Sequence, residues 1–224
     1  NLGDTGKVAS FIDRGLDVNS VDPRGETLLI IAARNGYTEL VKALLARRAK
    51  VEAVNAVGET ALAVAAFNGH VAVVDQLLAA GANPVNTQGW SALHYAAMQG
   101  HTAVLKALIA RGAPVDAPAP NGATALMLVA KANIESVKVL LAARADARIR
   151  GRDGETALDW AMKAGNTASS QKAAATLSQR VRELRSDGAW GKVMAAAPRA
   201  GRRPARAWRC RAGWRKGRRE HRAG

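Results

Sequence analysis

A chain of 224 residues with 48% apolar content is long enough to bury a core, but aromatics at 4% leave that core to Ala, Leu and Val and exclude a large aromatic-lined pocket. The single cysteine, Cys210, excludes an internal disulfide and a thiolate metal cluster, and no run approaches the roughly 20 apolar residues of a membrane helix. The net charge of +15 is uneven: 13 of the 33 Lys and Arg residues lie from Arg185 onward, against two of the 18 acids, so residues 1–184 carry +4 and residues 185–224 carry +11.

The chain begins at Asn1 rather than Met, which predicts a fragment or a processed product. Lys7 to Arg14 reads as a helix closed by Gly15. From Gly25 onward the sequence repeats itself: Gly25-Glu26-Thr27-Leu28-Leu29, Gly58-Glu59-Thr60-Ala61-Leu62, Gly89-Trp90-Ser91-Ala92-Leu93, Gly122-Ala123-Thr124-Ala125-Leu126 and Gly154-Glu155-Thr156-Ala157-Leu158, with glycines 33, 31, 33 and 32 positions apart. In each copy the hydroxyl residue is placed to cap a first helix, accepting bonds from N–H groups that the helix leaves unpaired. That helix presents Ala32-Ala33, Ala65-Ala66 or Ala96-Ala97 to a close neighbour and ends at Gly36, Gly69, Gly100 or Gly165. A second, one-sided helix follows over Leu40–Leu45, Val73–Leu78 or Val104–Ile109, and Gly81 and Gly112 close the last two. Some ten residues rich in Asp, Asn, Pro and Val then lead to the next glycine as a protruding hairpin loop.

Departures from the period carry their own expectations. Arg48 and Arg144 stand where glycine closes the second helix, which predicts side-chain-bearing residues at positive φ, at a cost of about 1 kcal/mol and with softer junctions. Gly81 to Gly89 spans 8 positions where the other copies use 10, predicting a clipped hairpin. Asn133 stands where a turn glycine is expected, in a unit one residue short, and is expected to take the left-handed conformation. From Ala168 to Leu184, Ala173, Leu177, Val181 and Leu184 share one face while Gln171, Lys172, Gln179, Arg180 and Arg182 face water, predicting a helix that caps the end of a stack. The opposite end, with only half a unit before Gly25, is expected to fray first. Arg199 to Gly224 has no periodicity and reads as a disordered or out-of-frame extension; Trp208 and Trp214 among the arginines make a nucleic-acid arm the alternative.

The period near 33, Ser91-Ala92-Leu93-His94 with Ala96-Ala97 and Gly100-His101, and the Gly15-Leu16-Asp17-Val18-Asn19 loop resemble the ankyrin repeat over about residues 6–180. Proline is absent from the second motif position in every copy, where Ala still fits the first helical turn. The resemblance implies an all-α repeat solenoid of helix–turn–helix units with hairpin loops. A truncated repeat (1–24) would be followed by repeats 25–57, 58–88, 89–121, 122–153 and 154–184, the last with its capping helix, and then by the basic tail 185–224. Such a stack is stabilised by neighbour contacts alone. In that family His70, His94 and His101 would make structural hydrogen bonds; a metal needs converging ligands, and these are offset by whole repeats.

No GxSxG elbow, HExxH pair or phosphate loop occurs, and Gly188-Ala189-Trp190-Gly191-Lys192 lacks both the span and the following Ser or Thr of the last. Hence no enzyme activity, cofactor or metal is expected. The resemblance implies protein–protein interaction through a concave face of hairpin tips and first helices. By register this face displays Arg24, Glu26, Val57, Glu59, Gln88, Trp90, Asn121 and Ala123 from the hairpins, and Arg34, Asn35, Phe67, Asn68, Met98 and Gln99 from the first helices. Trp90, Phe67 and Met98 are the expected anchors, since aromatics and Met are enriched at interfaces. Tyr95 is divided between anchor and gap-filler. The expected partner is a protein and the expected state a monomer; nucleic acid would be engaged only through the tail, and no membrane. The Ala-rich style resembles stand-alone bacterial ankyrin proteins, some of which are exported; otherwise a cytoplasmic location is expected.

Overall fold

The computed structural model describes residues 4–85, 89–131, 133–165 and 167–186. Among them run eleven α-helices: α1 (Thr5–Asp13), α2 (Leu28–Asn35), α3 (Thr38–Ala46), α4 (Ala61–Asn68), α5 (Val71–Ala79), α6 (Ala92–Gln99), α7 (Thr102–Ala110), α8 (Ala125–Ala130), α9 (Ile134–Ala142), α10 (Ala157–Lys163) and α11 (Ala168–Ser186). The helical stack belongs to the unit Asn1–Leu184, and the basic tail with Trp208, Cys210 and Trp214 lies outside the described residues.

Two layers result. Helices α2, α4, α6, α8 and α10 pack in succession in one, and α1, α3, α5, α7 and α9 in the other. Small residues make the first layer possible: Ala32, Ala33, Ala65, Ala66, Ala96, Ala97, Ala130 and Ala161 are all but inaccessible to solvent. Leucines at Leu29, Leu62, Leu93 and Leu126 fill the space toward the second layer, where Leu44, Leu77, Leu108 and Leu140 meet them in one continuous core. The hairpins between units are held by single antiparallel bridges, Val21 with Thr27, Val54 with Thr60 and Val85 with Ser91.

Caps and turns follow the expected chemistry in most copies. The hydroxyls of Thr27, Thr60, Ser91 and Thr156 accept from the N–H groups of Ile30, Ala63, His94 and Asp159, whereas Thr124 makes no such bond. Gly36 sits at φ 71° and a Cβ there would fall 2.6 Å from His70 Nδ1, so both backbone and space require glycine. The close approach is used: His70 Nε2 bonds to the Arg34 carbonyl and His101 Nε2 to the Phe67 carbonyl, each at 2.9 Å, tying these two turns to the ones before them.

Asn133 corrects the sequence reading. It is extended, at φ −145°, and its side chain caps α9 by accepting from the N–H groups of Glu135 and Ser136. The short unit ends its first helix early: α8 has six residues where α6 has eight, and two positions rather than one separate it from Asn133, which thus falls in the register of His101 rather than Gly100. It also does the histidine's work, its amide donating to the Gly100 carbonyl at 3.0 Å. Arg48 and Arg144, by contrast, do adopt positive φ, 61° and 66°.

A second inter-unit bond recurs in the loops. Asn19 Oδ1 accepts from Lys50 N at 2.8 Å, Glu52 Oε1 from Asn83 N at 2.8 Å, and Asp116 Oδ1 from Asp146 N at 3.0 Å. At the remaining junction the same two positions hold Val85, which has no side-chain acceptor, and Pro114, which has no N–H. Both halves of the bond are gone together, so nothing is left unsatisfied. A cavity of about 230 Å³ opens at this junction, lined by Leu78, Ala82, Pro84, Leu108 and Arg111 among others.

At the far end α11 buries Ala173 and Leu177, with Val181 and Leu184 half-buried and Gln171, Lys172, Gln179 and Arg182 exposed. Arg180 departs from the expected pattern: it is half-buried and paired with Glu183 at 3.3 Å. Among the described residues no helix is long and apolar enough to cross a membrane.

Candidate partner-binding face

In the first and last copies the residue after the hairpin glycine lies beside the last turn of the helix it precedes. Two ion pairs establish this proximity. Glu26 is 7% exposed, with both carboxylate oxygens on the Arg34 guanidinium, and Glu155 pairs with Lys163 in the same relative positions. The hydrogen bond that Arg34 donates to Glu26, reinforced by the charges of Glu26, Glu59 and Asp22 and opposed by burial, raises the pKa of Arg34 above its ordinary value. Register alone expects Glu26 on display. Instead it is buried beneath Arg34, its charge spent within the molecule.

The three copies between these ends hold unlike pairs: Glu59 with Phe67, Trp90 with Met98, and Ala123 with Lys131. Asn55 fixes Glu59, its amide donating to Glu59 Oε2 at 3.0 Å and its Oδ1 accepting from the Glu59 and Val57 N–H groups. Among the described residues no cation lies within ion-pair distance of Glu59. Ala123, expected on the surface, is buried and leaves Lys131 without an acid at its base; the Lys131 ammonium lies 4.1 Å from the Trp160 ring centroid, a cation–π contact.

Aromatic rings connect the central copies. Phe67 meets Tyr95 edge-on at 6.4 Å, Tyr95 meets Trp90 at 6.1 Å, and Trp90 stands edge-on to His94 at 5.7 Å. Tyr95 is half-buried against the core, so it joins the surface rings to the interior. Trp90 is also half-buried, while Phe67 and Met98 are 37% and 44% exposed and Val57 is 61% exposed. Arg24, Gln99 and Asn121 are exposed, and Asn121 Oδ1 accepts from Ala123 N. Asn35 and Asn68 are exposed with their amides turned back to the Ile31 and Val64 carbonyls. Gln88 lies outside the described residues.

Under this face His94 is 1% exposed. The Ser91 N–H donates to its Nδ1 at 3.1 Å, so the ring is the neutral tautomer whose Nε2–H reaches the Ala117 carbonyl at 2.9 Å. Burial pushes its pKa below the ordinary 6.5, against the contrary pull of backbone hydrogen bonds. The three histidines thus bond to backbone, and among the described residues no group of three or more His, Cys, Asp or Glu side chains could hold a metal.

Lys131, Trp160 and the Glu155–Lys163 pair are absent from the sequence-derived set. Their signal was present, since Lys131 and Lys163 occupy the register of Arg34, Phe67 and Met98. A sequence model of ankyrin repeats matches the chain in three copies, over residues 1–88, 49–119 and 93–179. Among curated proteins, none matches.

Proposed function

Since this chain belongs to the ankyrin-repeat family, whose repeats generally serve as protein–protein interaction modules and are typically non-enzymatic, we propose that it acts by noncovalent recognition of a protein partner through the face of hairpins and first helices. The observation that carries this reading is the connected rings of Phe67, Tyr95 and Trp90, with exposed Met98 at the end of the helix that carries Tyr95. These side chains sit part-exposed on a framework already ordered by stacking, so little conformational entropy remains to be lost on binding. Arg24, Val57, Gln99 and Asn121 would form the rim, with Glu26 acting through Arg34.

The test is affinity capture with the intact chain beside a variant carrying Phe67→Ala, Trp90→Ala and Met98→Ala. A partner that binds the first and is lost from the equally folded second supports the reading; each anchor removed should cost about 2 kcal/mol. Retention of every partner by the variant refutes it. The alternative, nucleic-acid binding through residues 185–224, rests on their charge of +11; deleting 190–224 must abolish salt-sensitive DNA or RNA binding if it holds.

A further inference from the structure

Along the five copies, the paired positions read as an ion pair, an acid and an aromatic residue, two apolar residues, a base with alanine, and an ion pair: Glu26–Arg34, Glu59–Phe67, Trp90–Met98, Ala123–Lys131, Glu155–Lys163. The two ends neutralise themselves. The three central copies do not, and they present the order acid, apolar, base. Glu59 is held in place by Asn55 and, among the described residues, has no cation in ion-pair contact, and Lys131 rests on a ring rather than a carboxylate. An arrangement of fixed opposite charges on either side of an apolar patch favours a ligand of the complementary order and disfavours the reverse.

Resting on the reading that this face binds protein, we infer that its ligand is a short extended segment carrying a cationic side chain over Glu59, a large apolar side chain between Trp90 and Met98, and an anionic side chain toward Lys131. Packed helices stand about 8–10 Å apart, so Glu59 and Lys131 are separated by two steps of roughly 16–20 Å in all. An extended chain covers about 3.3 Å per residue, which places the two charges about five or six positions apart. The closed ion pairs at the ends confine the charge order to these three copies.

The intact 224-residue chain would be used to select binders from a displayed library of random 12-residue peptides. Synthetic versions of the selected peptides would then be titrated by fluorescence anisotropy at 50 and 300 mM salt. Expected are sequences with Lys or Arg and Asp or Glu about five or six positions apart around a large apolar residue. Glu59→Lys or Lys131→Glu alone should weaken each about ten-fold at low salt. The double reversal should prefer peptides with the two charges exchanged, and Glu59→Gln should weaken binding about three-fold, with circular dichroism and melting unchanged throughout. Peptides that lose binding with Trp90→Ala or Met98→Ala but ignore both reversals overturn the charge order while leaving the face intact. Peptides indifferent to all four substitutions remove both readings, and a selection that enriches nothing overturns the segment.

Discussion

Arg48 and Arg144 occupy the left-handed region at φ 61° and 66°, where a Cβ costs about 1–2 kcal/mol. Glycine would relieve that cost but lose about 0.5–1 kcal/mol to its greater freedom when unfolded. Arg48→Gly and Arg144→Gly should therefore each raise the unfolding free energy by roughly 0.5–1 kcal/mol, and together by twice the single effect, since the two sites share no partner; urea denaturation reads both. His94 gives a second expectation, in pH. Its folded pKa lies below the unfolded value of 6.5, so the unfolded chain binds the proton more readily. Stability from this residue is fully present above pH 6.5, falls as pH drops through the folded value, and levels off below it. His94→Gln keeps a side chain able to reach the cap N–H, and should flatten this part of the profile in melts between pH 8 and 5. At the same scale, Asn133 was misread because a one-residue deletion can be charged to the turn or to the helix. The sequence does not distinguish them, and the structure takes the residue from α8 because the cap of α9 and the bond to Gly100 both depend on Asn133 keeping its place.

Between elements, stacking is maintained by two recurrent bonds, and the loop bond is missing where Val85 faces Pro114. Restoring only the acceptor, with Val85→Asp, adds a carboxylate that has no donor. Restoring only the donor, with Pro114→Ala, loosens the loop. The pair together should recover a favourable coupling of about 1 kcal/mol in a double-mutant cycle of unfolding free energies; a coupling near zero would show that the clipped loop sets these positions too far apart. The helices themselves were legible in advance because their signals are local: a hydroxyl, a pair of alanines and a glycine at fixed offsets. The pairing of Glu26 with Arg34 was not. Its partners are eight positions apart, one of them ahead of the helix, and only the path of the hairpin sets the acid beside the final turn.

For the molecule as a whole, a stack held by nearest neighbours should come apart from its weaker end. Helix α1 buries Val8, leaves Phe11 55% exposed, and is joined to Arg47 through Asp13 at 2.9 and 3.0 Å on the surface. Helix α11 buries Ala173 and Leu177 completely or nearly so and adds Ser170 at 1%. Amide hydrogen exchange should therefore be fastest in α1, slower in α11 and slowest in α4 and α6. Equal protection of α1 and α6 would contradict a stack that opens from this end. The architecture was legible because one period recurs along the chain; the binding face was legible only as a set of positions, since which charges are spent depends on contacts between them.

The closed pairs at Glu26–Arg34 and Glu155–Lys163 bear on how the protein behaves in crude mixtures. A long polyanion gains hold by displacing small counterions from an unbroken row of free cations, and along the paired positions Lys131 is flanked by Arg34 and Lys163, both engaged with acids. Ribosomal RNA or genomic DNA that co-purifies with so basic a chain would then be attached away from the aromatic patch, and a high-salt or nuclease wash should strip it without dislodging whatever is seated on Phe67, Trp90 and Met98.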